Sequence, residues 1–181
     1  MEIIYNICFI TRTRSTEDEV LMLFRKKEPN RHKWNGIGGK IEQGETIRES
    51  MEREILEETG LRVKRLTFRG LVTWNQTGGM YVYRAEDTGG RLSACDEGKL
   101  AWKPYQWVME ADEVVSNIKY YLRDILLDDP PLEFACIYEN DQLISVKKKH
   151  LPHVARKLTL NHLKPPMRGF SFGDYIHDIL L

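Results

Sequence analysis

Seven carboxylates crowd the 24 residues Gly38–Leu61 (GGKIEQGETIRESMEREILEETGL), and five of them fall between Glu49 and Glu58. The stretch reads as one helix. Thr46 and Glu49 stand at capping-box spacing, and Gly60 suits the left-handed residue that closes a helix. Like charges at helical spacing repel, so something must hold these acids together. With Ile47 at zero, Met51 and Ile55 fall at about 40° and 80° on the helical wheel, which defines an apolar stripe. Glu49 and Glu52 lie away from that stripe, with Arg53 four residues after Glu49 to pair with it. Glu54, Glu57 and Glu58 form an i, i+3, i+4 cluster on a face that overlaps the stripe, and Glu58 projects between Ile47 and Met51.

A carboxylate in that position is desolvated unless a counter-charge meets it. A hard divalent cation such as Mg²⁺ takes oxygen ligands and is held by a few carboxylates together with substrate phosphates. Gly36, Gly38 and Gly39 precede the helix and let backbone approach a phosphate or metal. An exposed helix with solvated surface glutamates is the competing reading.

Beyond the helix the chain is balanced: Lys+Arg and Asp+Glu each total 27. A pull toward nucleic acid or membrane must therefore be local. No run approaches the roughly 18 apolar residues of a membrane span, and the first residues lack the charge order of a secretory signal. Cys8, Cys95 and Cys136 form no CxxC pair. A zinc site is not expected, and a reducing cytoplasm fits.

Strand patterns cover Ile3–Thr11, Val20–Lys27, Arg62–Trp74, Gly79–Ala85 and Leu100–Val108, with a glycine-rich loop from Glu28 to Lys40. Glu110–Leu127 has helical apolar spacing, and Leu132–Lys149 reads as a hairpin of two strands. This mixture predicts an α/β domain over residues 1–149, with a C-terminal extension at 150–181. From Gln142 to Gly173 there are seven Lys/Arg and no acid.

Gly39, five residues, Glu45, seven residues, then Arg53-Glu54-Ile55-Leu56-Glu57-Glu58-Thr59-Gly60-Leu61 resembles the Nudix box at every fixed position. The resemblance implies a Nudix fold, a mixed β-sheet between helices, and hydrolysis of a nucleoside diphosphate linked to another group. By the same resemblance Glu54, Glu57, Glu58 and the Gly39 carbonyl would bind Mg²⁺, with Mn²⁺ as an alternative. Arg53 would orient a catalytic glutamate, Glu45 would serve the helix start, and Glu97 would add an acid from a later loop. Glu58 is the first choice of general base, with Glu54 and Glu97 behind it.

Lys33–Lys40 (KWNGIGGK) resembles, more weakly, MutT-type hydrolases that clear oxidised purine nucleoside triphosphates. Asn35 could read a purine edge or merely serve its Asn-Gly turn. Trp34, Trp74, Tyr81 and Tyr83 could stack on a base or pack in strands. Arg25, Lys26 and Lys40 could meet phosphates. Some oxidised-purine enzymes carry an aspartate pair near the second helix, where this chain reads VVSNIKYYL, so a broader nucleotide substrate stays open. Other substrates are a nucleotide sugar, a dinucleotide polyphosphate or an RNA 5′ end. The basic C-terminal segment could hold RNA phosphates or mediate a homodimer. A non-catalytic nucleotide-binding module is the remaining alternative.

Overall fold

The computed structural model describes residues 2–151. Eight strands form one mixed sheet: β1 (Glu2–Arg14), β2 (Glu17–Arg25), β3 (Trp34–Asn35), β4 (Lys64–Trp74), β5 (Gly78–Glu86), β6 (Gly98–Pro104), β7 (Leu132–Glu139) and β8 (Gln142–His150). The main order is β3-β2-β1-β5-β4-β7-β8, with β6 pairing to β2. Pairs β1·β5 and β4·β7 are parallel and the others antiparallel.

Helix α1 (Ile47–Thr59) covers one face of this sheet. Ile47, Met51 and Ile55 are buried there with Cys8, Ile10, Leu23, Phe68, Leu71, Tyr81 and Tyr83. The other face is covered by α2 (Tyr105–Glu110), a 3₁₀ turn at Ile118–Tyr120 and α3 (Leu122–Leu126). Val114, Ile118, Tyr121, Leu122 and Ile125 pack there on Ile7, Phe9, Val72, Val82 and Phe134. The expected α/β sandwich of sheet between helices is what forms.

The glycine-rich loop gains its place from a split in the sheet. β1 and β2 are paired only from Thr11↔Val20 outward to Arg14↔Glu17. Beyond that they diverge. Leu23 and Phe24 of β2 pair instead with Asn35 and Trp34 of β3, while Cys8 of β1 bonds to Ile37 in both directions. The segment from Trp34 to Lys40 is thus threaded between two strands that no longer bond each other. It delivers Gly38 and Gly39 to the buried flank of α1.

Two expected elements differ. The strand expected over Leu100–Val108 ends at Pro104, which has no N–H to continue a ladder, and α2 begins there. The single helix expected over Glu110–Leu127 is broken. Trp34 N–H donates to the Glu113 carbonyl, and Val115 N–H donates to the Trp34 carbonyl. The free edge of β3 therefore claims backbone groups that a helix would use. Only the 3₁₀ turn and the short α3 remain helical.

At the far edge, β8 runs one residue past Lys149, and Leu151 is buried in the core on the α1 side. The rest of the C-terminal segment, with His153, His162 and His177 and the apolar run after Phe170, lies outside the described residues.

Candidate active site

The acidic helix is capped at both ends as its residues dictate. Thr46 accepts from Glu49 N–H while Glu49 accepts from Thr46 N–H, completing the capping box. Gly60 closes the helix at φ 72°. Because Glu49 is turned back to Thr46, the expected Glu49–Arg53 pair does not form. Arg53 closes on Glu45 through two bonds, of 2.6 and 3.0 Å, and also reaches Glu54 (2.9 Å), Glu57 (3.0 Å) and the Lys40 carbonyl (3.2 Å). Arg53 is the hub that keeps several carboxylates on one side of α1. Its hydrogen bond holds the Glu45 carboxyl down at about 2.

The three clustered glutamates separate by depth. Glu58 is 4% exposed, as its wheel position predicted, while the side chain of Glu57 is 60% exposed and lies on Arg53. Glu54 is partly buried, with its carboxylate directly against Gly39. A Cβ at residue 39 would lie 2.6 Å from Glu54 Oε1. Gly39 is thus the residue that lets the loop sit on this carboxylate.

Glu58 accepts from Gly38 N–H at 2.9 Å through Oε2. Gly38 has φ 153°, and a Cβ there would lie 2.3 Å from the Asn6 carbonyl oxygen, so only glycine brings this amide in. Burial raises the Glu58 carboxyl to about 8, opposed by the Gly38 bond and reinforced by the charges of Glu54 and Glu97. Burial also raises Glu54, against the pull of Arg53.

Glu97 joins this pair from the loop before β6. Its charge acts on both Glu54 and Glu58. Its carboxylate stands 3.7 Å from Arg25 and 3.4 Å from Lys27, and its carbonyl accepts from Lys26 N–H at 2.8 Å. Arg25 is only 13% exposed, so it is not a loose strand-end cation. Its charge also reaches Glu58.

The proposed base platform does not assemble. Trp34 is 9% exposed and packs against Phe24 and Trp107, with the Lys103 ammonium 4.5 Å from its ring centre. Trp74 lies elsewhere, beside Tyr5 with ring centres 6.4 Å apart, and Tyr81 and Tyr83 are core residues. Asn35 Oδ1 accepts from Gly36 N–H, which is the turn reading, while its NH₂ remains able to donate. Lys40 is exposed at the rim of the glycine loop.

Sequence reasoning missed Asn6. This buried residue exchanges backbone and side-chain bonds with Gly39 and donates from Nδ2 to Ser50 Oγ at 3.0 Å, tying loop, strand and helix together. A lone Asn in the apolar run IIYNICF was the available signal. Asn117 was also missed. It is buried beside Cys136 and Tyr138, and its Oδ1 has no hydrogen-bond partner among the described residues.

The donor set suits a divalent cation. The donors are hard carboxylate oxygens, and two of the carboxyls are raised by burial and by neighbouring acids, Glu54 by Glu57 and Glu97 and Glu58 by Glu54 and Glu97, the condition a cation relieves. With Arg53 holding Glu54 and Glu57, however, no three His, Cys, Asp or Glu side chains among the described residues group as a ready metal cage. The donor chemistry fits, because Arg53 engages Glu54 and Glu57 through one oxygen each and leaves the second oxygen of both off the guanidinium.

A split mixed sheet, a glycine loop threaded through it and a glutamate helix beneath that loop define a Nudix-type α/β protein. The NUDIX domain profile matches residues 5–125, and the chain belongs to that family. The solved structure of a MutT protein from Bacillus halodurans superposes with a TM-score of 0.67 at 27% identity, covering 84% of this chain and 100% of that one. An oxidized purine nucleoside triphosphate hydrolase of Danio rerio is 35% identical over 88 residues, covering 46% of this chain and 56% of that protein. An 8-oxo-dGDP phosphatase of Homo sapiens is 32% identical over 106 residues, covering 55% of this chain and 33% of that protein. The match thus spans about half or less of these curated relatives' own length. Among the described residues no helix is long and apolar enough to cross a membrane.

Proposed function

We propose that the chain is a divalent-metal-dependent hydrolase of nucleoside triphosphates, splitting the α–β phosphoanhydride to give a monophosphate and pyrophosphate. Oxidised purine nucleotides are the first candidates, because the relatives named above act on them. The observation that carries the reading is the pairing of buried Glu58 with Gly38, beside Glu54 and Glu97. A buried carboxyl fixed through one oxygen and set beside other acids is a candidate proton acceptor.

Glu54, Glu57, Glu58, Glu97 and the Gly39 carbonyl would hold Mg²⁺ or Mn²⁺. The cation supplies positive charge that neutralises the polyphosphate and acidifies water. The chain's own groups do the rest. Gly38 N–H fixes Glu58 through Oε2, and the carboxylate so oriented would take a proton from the attacking water. The hydroxyl oxygen bonds to phosphorus as the phosphoanhydride bond breaks, and pyrophosphate leaves. Arg25, nearly buried beside Glu97, is placed to meet a phosphate oxygen. Asn35 offers its NH₂ to the base.

The nucleic-acid alternative is weakened within the described residues. Lys148 pairs with Asp124 and Lys149 approaches Glu133, so two of the basic side chains are already engaged. Three free thiols agree with work in a reducing compartment such as the cytoplasm.

The test is product analysis on a panel holding dGTP, 8-oxo-dGTP, the other nucleoside triphosphates, ADP-ribose, a dinucleotide polyphosphate and a 5′-triphosphate RNA. Monophosphate plus pyrophosphate from a triphosphate supports the proposal. Turnover confined to ADP-ribose, the dinucleotide or RNA moves the substrate class, and no turnover of any member overturns it.

A further inference from the structure

The glycine that ends the acidic helix does more than adopt a left-handed conformation. A Cβ at Gly60 would fall 2.2 Å from Ser93 Oγ and 3.1 Å from Ser93 Cβ. Ser93 N–H donates to the Thr59 carbonyl at 2.9 Å. The loop between β5 and β6 is therefore pressed onto the helix end. Its other attachments follow the same line. Thr88 Oγ1 donates to the Arg62 carbonyl at 2.6 Å, Gly90 lies against Leu61, and Leu92 and Cys95 pack on the core under α1. The loop then turns through the Cys95–Gly98 bridge and presents Glu97 on Arg25 and Lys27, from where its charge acts on Glu58.

We infer that the Gly60–Ser93 contact is a positioning device: Gly60 seats the loop, and Ser93 fixes where Glu97 stands relative to Glu58, two residues before the seat. This deepens the proposed function and rests on Glu97 working in that site. The physical reason is leverage. Glu58 and the seat of the Glu97 loop belong to one helical turn, so the two carboxylates share one rigid support. Without the seat, the 11-residue connection between Glu86 and Gly98 would keep its ties at Thr88 and at the Lys26–Glu97 bond but lose the one that joins its middle to the helix carrying Glu58.

Three variants test this: Gly60→Ala, Ser93→Gly and the two combined. Ser93→Gly removes the atoms that an alanine at 60 would strike but leaves the left-handed backbone strain in place. Hydrogen exchange of the Ser93 and Lys26 amides reads the seat directly, because Lys26 N–H donates to the Glu97 carbonyl. In Gly60→Ala the left-handed strain weakens the whole domain and the Cys8 amide of the core reports it, while the Ser93 and Lys26 amides should accelerate about tenfold more than Cys8 does. The double variant should recover most of the Lys26 protection. In turnover, Gly60→Ala should lower kcat about tenfold or more with KM little changed, and should add nothing in a Glu97→Gln background.

Equal acceleration at Ser93, Lys26 and Cys8 would show general destabilisation and overturn the inference. So would unchanged exchange at Lys26, or a full kcat loss that persists in Glu97→Gln. A wild-type protein that hydrolyses no nucleotide would sink the proposed function alone, since the amide exchange decides the seat without substrate.

Discussion

Gly38 N–H and Glu58 Oε2 lie 2.9 Å apart, joining the loop threaded through the sheet to the most buried carboxylate of α1. This bond is why the acid can sit inside without unfolding the helix end. A buried carboxyl oxygen needs a donor, and a backbone amide supplies one without bringing a competing charge.

Replacing Glu58 by Gln keeps a carbonyl oxygen for Gly38 but removes the proton acceptor and the charge. Turnover should fall about a hundredfold or more, the scale of losing a general base. Glu52, paired with Arg48 at 2.9 Å on the outer face, is the control. Glu52→Gln should leave turnover unchanged and shift stability by about 0.5 kcal/mol or less. Steady-state kinetics on both variants makes the comparison, and similar losses would contradict the site.

Glu45 gives the clearest pH signature. Arg53 lowers its carboxyl from 4.5 to about 2 in the folded protein. The stabilisation is therefore present in full above the unfolded value and is lost as pH falls through about 2. Glu45→Gln should cost about 1–3 kcal/mol at neutral pH, and the difference from wild type should shrink steadily as acid is added. Urea titrations at several pH values measure it. A cost that stays constant down to pH 2 would rule out the ion pair as its source.

Asn6→Ala removes the link between β1, the glycine loop and Ser50. It strands buried groups on Ser50 and Gly39, and should destabilise the domain by about 1–3 kcal/mol. Chemical denaturation checks the cost. Turnover should fall as well, because Gly39 lies against Glu54.

The C-terminal extension is tested by where the chain is cut. Ending after Leu151 preserves the last β7·β8 pair, Leu132↔His150, and the buried Leu151. That protein should hydrolyse mononucleotides within about tenfold of the 181-residue chain, a change of about 1.4 kcal/mol in barrier. Ending after Lys149 removes both features and should lower the melting temperature. A folded protein ending at Leu151 that lost all activity would place residues 152–181 in the active site.

What could be read from the sequence was what local geometry decides. The capping box, the Gly60 stop and the burial of Glu58 follow from residues within one helix, so spacing alone revealed them. Hidden from it was whatever a distant partner decides. Nothing in Glu110–Leu127 announces that Trp34, nearly 80 residues earlier, takes the backbone groups of Glu113 and Val115. Arg53 chose Glu45 over Glu49 because the capping box had already engaged Glu49, a competition visible only once both contacts are built. The aromatic platform failed for the same reason. Trp34 and Trp74 lie on separate parts of the sheet, and a list of aromatic residues carries no register.

Direct titration of Mn²⁺, followed by electron paramagnetic resonance of the free ion, tests the central claim that these glutamates form a divalent-metal site. Wild type should bind the ion, and Glu54→Gln and Glu58→Gln should each weaken binding about tenfold or more, while Glu52→Gln matches wild type. Binding of equal strength in all four proteins, or none in wild type even with a nucleoside triphosphate present, would contradict the account.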